Sequence, residues 1–137
     1  MDQEKALVIL KPSIPDEEFW ENVVISREYF KKIFLRVIRM KWFTISKQKT
    51  QKISQEDAIL HYYEKREHPL FNNVIEYITS EVTDILSISW ENSIKEVREL
   101  ALAMRAKYIW NNSKLYNMIH ASDSEYESKR EHEIHFK

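Results

Sequence analysis

Ala6-Leu7-Val8-Ile9-Leu10-Lys11-Pro12 decides the reading of this chain. Five apolar residues follow one another without polar alternation and stop at a lysine and a proline. A run this short predicts a buried strand, not a helix. Pro12 ends the pairing because it has no amide hydrogen to give a neighbouring strand. Lys11 therefore stands at a strand end, where a side chain can face a ligand.

Outward from that strand, Pro15-Asp16-Glu17-Glu18 opens a helix with proline and acids in its first turn, expected to run to about Phe34. Leu35 to Ile45 is rich in β-branched and aromatic residues and reads as a second strand. Lys47 to Lys52 reads as a polar connection. Ser54-Gln55-Glu56-Asp57 resembles a capping box and starts a short helix through Tyr63. Pro69 starts another, with Leu70, Val74, Tyr77 and Ile78 at helical spacing. Val82 to Ile88 suits a third strand. Asn92 can cap a helix carrying Ile94, Val97, Leu100, Ala101 and Met104, and Glu133 to Phe136 fits a last short strand. The order predicts one domain over residues 1–137 with an α+β, ferredoxin-like sandwich: a four-stranded antiparallel sheet with helices packed on it.

Composition removes several kinds of chemistry. The net charge of −1 gives no basic excess for nucleic acid or an anionic membrane, so neither is expected as a partner. No stretch reaches eighteen apolar residues, and Met1 to Lys5 lacks a signal-peptide pattern, so a cytoplasmic protein is expected. There is no cysteine, which excludes thiolate nucleophiles and cysteine zinc sites. There is also no glycine, so neither a Walker loop nor a Rossmann fingerprint can occur. A nucleotide would have to be held by side chains or by a helix end.

Asn117-Met118-Ile119-His120-Ala121-Ser122-Asp123-Ser124 places a histidine before small polar residues. Ser122 or Ser124 can cap a helix running through Glu125 to Glu131. An imidazole beside a helix start, where anions are favoured, is a candidate phosphoryl acceptor. The plainer alternative is a structural histidine beside apolar residues. Glu131, eleven residues on, can orient the ring or hold its proton. Arg98 and Arg105, seven apart, share one face if their helix extends that far. With Lys11 they suit a polyphosphate, although each alone also reads as a surface ion pair. His61, His68, His132 and His135 do not make a metal set. His132 and His135 are expected in the last strand, pointing to opposite faces.

Together these residues resemble the nucleoside diphosphate kinase family over nearly the whole chain. The resemblance begins at Ala6 to Pro12 and continues through His61-Tyr62, Pro69-Leu70-Phe71 and Glu76-Tyr77-Ile78-Thr79-Ser80. It ends with Asn117 to Ser124 and Glu131. It implies ping-pong transfer of the γ-phosphate of a nucleoside triphosphate to a nucleoside diphosphate through a phosphohistidine on His120. Ser122 and Glu131 would orient His120. Lys11 and Tyr62 would bind near the γ-phosphate, and Arg98 and Arg105 would hold the outer phosphates. Asn117 would join Lys11 at the sugar hydroxyl, and Leu70 and Val74 would lie against the base. Mg²⁺ would arrive with the nucleotide, with no dedicated metal ligands on the protein.

The chain departs from the family pattern in places. Ser13 replaces an aspartate after Lys-Pro, Ala121 replaces a glycine, and Leu70 stands where an aromatic residue usually stacks on the base. The family carries a long loop, with a phosphate-binding threonine, between its two phosphate-binding arginines. Here only Glu99 to Met104 separates Arg98 from Arg105. Two expectations follow: reduced turnover, and a homodimer in place of the family's hexamer. The alternative function is a weak or inactive relative acting as a nucleotide-binding or protein-interaction module.

Overall fold

The computed structural model describes residues 4–12, 27–108 and 118–137. Four strands, β1 (Lys5–Leu10), β2 (Thr44–Gln51), β3 (Thr83–Ser89) and β4 (Ile119–Ala121), form one sheet in the order β2-β3-β1-β4. All three pairings are antiparallel, the strand order of a ferredoxin-like sandwich. Among the described residues five α-helices accompany them: α1 (Arg27–Met40), α2 (Gln55–His61), α3 (Phe71–Ile78), α4 (Ser93–Tyr108) and α5 (Glu125–His135).

β1 is central and buried on both faces, as its unbroken apolar run requires. Its pleat sends Ala6, Val8 and Leu10 to one side, against Phe30, Phe34 and Ile38 of α1 and Val97, Ala101 and Met104 of α4. Leu7 and Ile9 face the other side, against Ile53, Ala58, Ile75, Ile78 and Ile85. Each fully buried aliphatic side chain contributes roughly 1.5–3 kcal/mol.

Three expected elements are corrected. Of the strand expected over Leu35 to Ile45, only Thr44 and Ile45 are strand, the first residues of β2. α1 runs through Met40 because Phe30, Phe34 and Ile38 recur at i, i+4 and i+8 and bury one stripe. Lys47 to Gln51 is not a connection but most of β2, an edge strand whose mostly exposed residues hide the period-2 signal. Glu133 to Phe136 is not a strand, since α5 continues to His135. The fourth strand is instead the three residues around His120. The helix expected from Pro15 falls largely outside the described residues.

The lack of glycine is visible at helix ends. α1 closes with Phe43 N–H bonded to Ile38 O at 3.1 Å and Trp42 N–H to Arg39 O at 3.1 Å. Trp42 takes the left-handed position (φ 63°) that glycine normally occupies in this motif. α4 takes its start from the residue before β1: the Ile94 amide donates to the Glu4 carboxylate at 2.9 Å, and Ser93 Oγ donates to Glu4 O at 2.8 Å.

One charged cluster is buried between α1 and the sheet. Asp84 of β3 is fully buried and accepts from Thr50 Oγ1 at 2.6 Å, from Lys31 Nζ at 3.1 Å and from Arg27 Nη2. It pins the start of α1 to β3.

Candidate functional site

The alternation that builds the core also places the chemistry. His120 pairs with Ile9 across β4 and β1, so its ring emerges on the Leu7 and Ile9 face. Lys11, two residues beyond Ile9, continues on that face. Its amide donates to Met118 O at 2.9 Å, and Tyr77 Oη donates to Pro12 O at 2.6 Å, which fixes the backbone just past the end of β1. His120 therefore lies in a strand, not against a helix start. Of the two candidate caps Ser122 and Ser124, Ser124 caps α5, accepting from the Glu127 amide at 3.1 Å.

α5 brings Glu131 to His120. Ser128, Glu131 and His135 recur at i, i+3 and i+7 and are all buried. Glu131 Oε1 lies 2.9 Å from His120 Nε2. An ionised carboxylate only accepts, so Nε2 carries the proton and Nδ1 keeps its lone pair. Ser122 Oγ accepts from the Leu7 amide at 3.0 Å and lies 2.9 Å from Glu131 Oε1 and 3.2 Å from Leu7 O. Its single proton goes to the nearer, charged acceptor, Glu131. Burial alone would raise the Glu131 carboxyl. The pull of His120 and the hydrogen bonds from His120 and Ser122 outweigh it and hold the group below its ordinary value. His120 is held below its own usual range by burial, against the opposing pull of Glu131.

A cationic rim surrounds this pair. Lys11 is buried, and its ammonium is pushed down to about 7 by burial first, then by Arg105 and Lys65. It lies 5.8 Å above the Tyr62 ring. The Tyr62 hydroxyl is buried, finds no hydrogen-bond partner among the described residues, and is driven toward its neutral form by burial. Arg98 and Arg105 lie on one continuous helix, as their spacing requires. Arg98 Nη1 donates to Ala121 O at 3.0 Å, and Arg105 donates to Ile119 O through Nε at 2.9 Å and Nη2 at 2.6 Å. The two guanidiniums thus clamp the backbone on either side of His120. Leu70 precedes α3 and is exposed, while Val74 within that helix is half-buried. Asn117 lies outside the described residues.

Sequence reasoning missed three contributors. His61 closes α2 and packs edge-on against His120, ring centroids 4.5 Å apart. His135 Nε2 lies 2.9 Å from His61 Nδ1. Arg130 donates to Leu60 O at 2.9 Å and to His61 O at 3.0 Å, which ties α5 to the end of α2. The spacing of Glu131 and His135 would have put both on one helix face, had α5 been extended through His135. His132 sits on this helix as well. Its Nδ1 donates to Ser128 O at 2.7 Å, leaving Nε2, 2.7 Å from Ser87 Oγ, to accept. Hydrogen bonds within the fold occupy it, not the strand alternation expected from the sequence.

His61, His120 and Glu131 bring three potential metal donors within 4.8 Å of one another. The surroundings oppose a bare cation: Lys11 and Arg105 both act on His120, and its Nε2 already bonds Glu131. Lysine, arginine and an unpartnered tyrosine hydroxyl around an imidazole form a donor-rich surface that fits an anion with several oxygens.

Comparison with known proteins agrees with that chemistry. The family model for nucleoside diphosphate kinase matches residues 4–137. The nucleoside diphosphate kinase of Pyrococcus abyssi is 30% identical, over 99% of this chain and 86% of its own length. That of Wigglesworthia glossinidia brevipalpis is 29% identical, over 100% of this chain and 94% of its own. The crystal structure of the Aquifex aeolicus nucleoside diphosphate kinase superposes with a TM-score of 0.76 at 28% identity, covering 98% of this chain and 95% of that one. Fold, motif order and full-length likeness agree, and the chain belongs to the nucleoside diphosphate kinase family.

Proposed function

We propose that this chain is a nucleoside diphosphate kinase that works through a phosphohistidine on His120. Family membership gives the reaction class, a phosphotransferase. The observation that carries the assignment is the 2.9 Å bond between His120 Nε2 and Glu131 Oε1, which keeps Nδ1 unprotonated and nucleophilic. The Nδ1 lone pair attacks the γ-phosphorus. The bond to the bridging oxygen breaks, and the nucleoside diphosphate leaves with that electron pair. Glu131, holding the Nε2 proton, offsets the positive charge gained by the ring. A second nucleoside diphosphate then attacks the phosphohistidine through a terminal β-phosphate oxygen and restores His120.

In this reading Lys11 and the Tyr62 hydroxyl receive the γ-phosphate, and Arg98 and Arg105 face the outer phosphates. Ser122 supports Glu131, Asn117 takes the sugar hydroxyl with Lys11, and Leu70 and Val74 lie against the base. Mg²⁺ comes as part of the Mg-nucleotide substrate, since the cationic rim suits phosphate oxygens better than a metal ion. The protein acts as a single domain, cytoplasmic, on free nucleotides. Among the described residues no helix is long and apolar enough to cross a membrane. The unbroken α4 between Arg98 and Arg105 leaves no room there for the family's loop, which supports a homodimer. Light scattering after gel filtration should give twice the chain mass, and a sixfold mass would overturn the dimer.

Incubation with Mg-ATP labelled at the γ-phosphate tests the function. An acid-labile, base-stable adduct is expected on the wild type and none on His120→Ala. Added nucleoside diphosphate should discharge the adduct. A wild type without adduct, or an equal adduct on the variant, refutes the mechanism.

The lowered Lys11 ammonium gives a pH signature. In the nucleotide-free protein Lys11 loses its charge as pH rises through about 7. The ratio kcat/KM reports the free enzyme and should fall above that pH. A bound polyphosphate favours the ammonium, so kcat should hold to higher pH. Parallel profiles for the two constants would exclude Lys11 as the titrating group.

A further inference from the structure

We infer that His135 and His61 act as a positioning relay that sets the tautomer of His120 through Glu131. The inference rests on the reading of His120 as the phosphoryl acceptor. It concerns two buried imidazoles that the mechanism above does not use.

Four groups lie in series. His135 Nε2 is 2.9 Å from His61 Nδ1. His61 Nε2 faces Glu131 Oε2 at 3.9 Å. Glu131 Oε1 is 2.9 Å from His120 Nε2. Both outer histidines are buried, at 5% and 1% exposure for His61 and His135. Burial pushes His61 well below its ordinary value, and burial with His120 pushes His135 down to about 4. Both rings are therefore neutral near pH 7, and each carries one ring proton.

Two arrangements of those protons are conceivable, and they differ in cost. In the first, His135 Nε2–H donates to His61 Nδ1. His61 then carries its proton on Nε2, directed at the Glu131 carboxylate. His135 Nδ1, which finds no partner among the described residues, is left as a bare lone pair. In the second, His61 Nδ1–H donates to His135 Nε2. That turns a bare His61 lone pair toward the carboxylate and leaves a buried N–H on His135 Nδ1 unbonded. Orphaned buried N–H groups are the rarer defect, and a lone pair facing a carboxylate is repulsive. The first arrangement prevails.

The consequence is directional. With the proton on His61 Nε2, Glu131 has positive dipoles on both oxygens: His61 on Oε2, and His120 and Ser122 on Oε1. That environment favours the ionised carboxylate, and the ionised carboxylate keeps the His120 proton on Nε2. His135 acts at one remove, by forbidding the other tautomer of His61. Arg130 holds the backbone of the relay through the His61 carbonyl at 3.0 Å.

The test uses His135→Phe, which keeps an aromatic ring and removes the donor, and His135→Gln, which can return an N–H near the Nε2 position. Adduct formation should slow about tenfold to a hundredfold in the phenylalanine variant, the scale of losses at partners of this kind. KM for the nucleotide should barely move, and the glutamine variant should recover most of the rate. A general packing defect would not be reversed by glutamine. Ring-nitrogen ¹⁵N shifts of the wild type give a reading that needs neither variant nor activity. His61 should carry its proton on Nε2 and His135 on its own Nε2, with His135 Nδ1 bare. A wild-type His61 protonated on Nδ1 overturns the relay, as does a folded His135→Phe with unchanged rate. A wild type that forms no adduct would instead sink the phosphoryl-acceptor reading, and the nitrogen shifts would still decide the relay.

Discussion

Glu131→Ala should lower the rate of phosphohistidine formation on the order of 10⁴-fold, the loss seen when a catalytic histidine is released into the wrong tautomer. Two jobs end together in this variant. The His120 Nε2 proton loses its acceptor at 2.9 Å, so the ring is free to place its proton on Nδ1, the attacking atom. The negative charge that offsets the forming phosphoimidazolium also disappears. Glu131→Gln separates the two. Its carbonyl oxygen can still accept from Nε2 but carries no charge, so its rate should fall between those of the wild type and the alanine variant. The measurement is single-turnover adduct formation at saturating Mg-ATP, which isolates the chemical step from nucleotide binding. An alanine variant within threefold of the wild type would show that His120 needs no orienting carboxylate.

The largest effect on stability should come from Asp84→Ala. Asp84 has no exposed surface, and Arg27, its partner from α1, is 8% exposed. Removing the carboxylate leaves a buried guanidinium paired only with the exposed Glu28 and takes the acceptor from Lys31 and Thr50. The expected cost is about 3–5 kcal/mol, read from urea denaturation. For a chain of this size it corresponds to a fall in Tm of roughly 10 °C or more. Replacing both partners, Arg27→Met with Asp84→Leu, should restore most of the loss, because an apolar pair has no charge to strand. A loss under about 1 kcal/mol in Asp84→Ala would show that water reaches the arginine. His120 lies on the far side of β1 from this cluster in the sheet order, so the folded fraction should keep its activity.

Burial explains which parts of the fold were legible in the sequence. β1 carries a continuous apolar run because both of its faces are covered; β3 is buried along its whole length but holds only Ile85, Leu86 and Ile88 as apolar residues, and both strands were found. α2 was found from Ser54, whose hydroxyl accepts from the Asp57 amide at 3.1 Å. β2 was lost because an edge strand flanked by solvent carries no alternation. The end of α1 was lost because β-branched residues at Val37 and Ile38 suit either a strand or a helix, and only the stripe through Phe30 and Phe34 decides between them. β4 is three residues long, below what any pattern can resolve, yet it carries the central histidine.

The site was legible in its central members and not in its supports. His120, Glu131, Ser122, Lys11 and Tyr62 converge on one face of the sheet, and Arg98 and Arg105 flank the strand. His61 and His135 were invisible because they act only through each other and through Glu131. Their partnership depends on α2 meeting α5, a tertiary contact that no local spacing encodes.

The clamp of Arg98 and Arg105 has a consequence for how the sheet ends. β4 is an outer strand, and its pairing with β1 turns the carbonyls of Ile119 and Ala121 outward. Unbonded outward carbonyls invite a foreign strand to dock and extend the sheet. Both are already occupied by guanidiniums from α4. The border that carries the histidine is thereby sealed against stray strand addition, and this chain's guard against aggregation at that border is built from the same two side chains proposed to face its substrate.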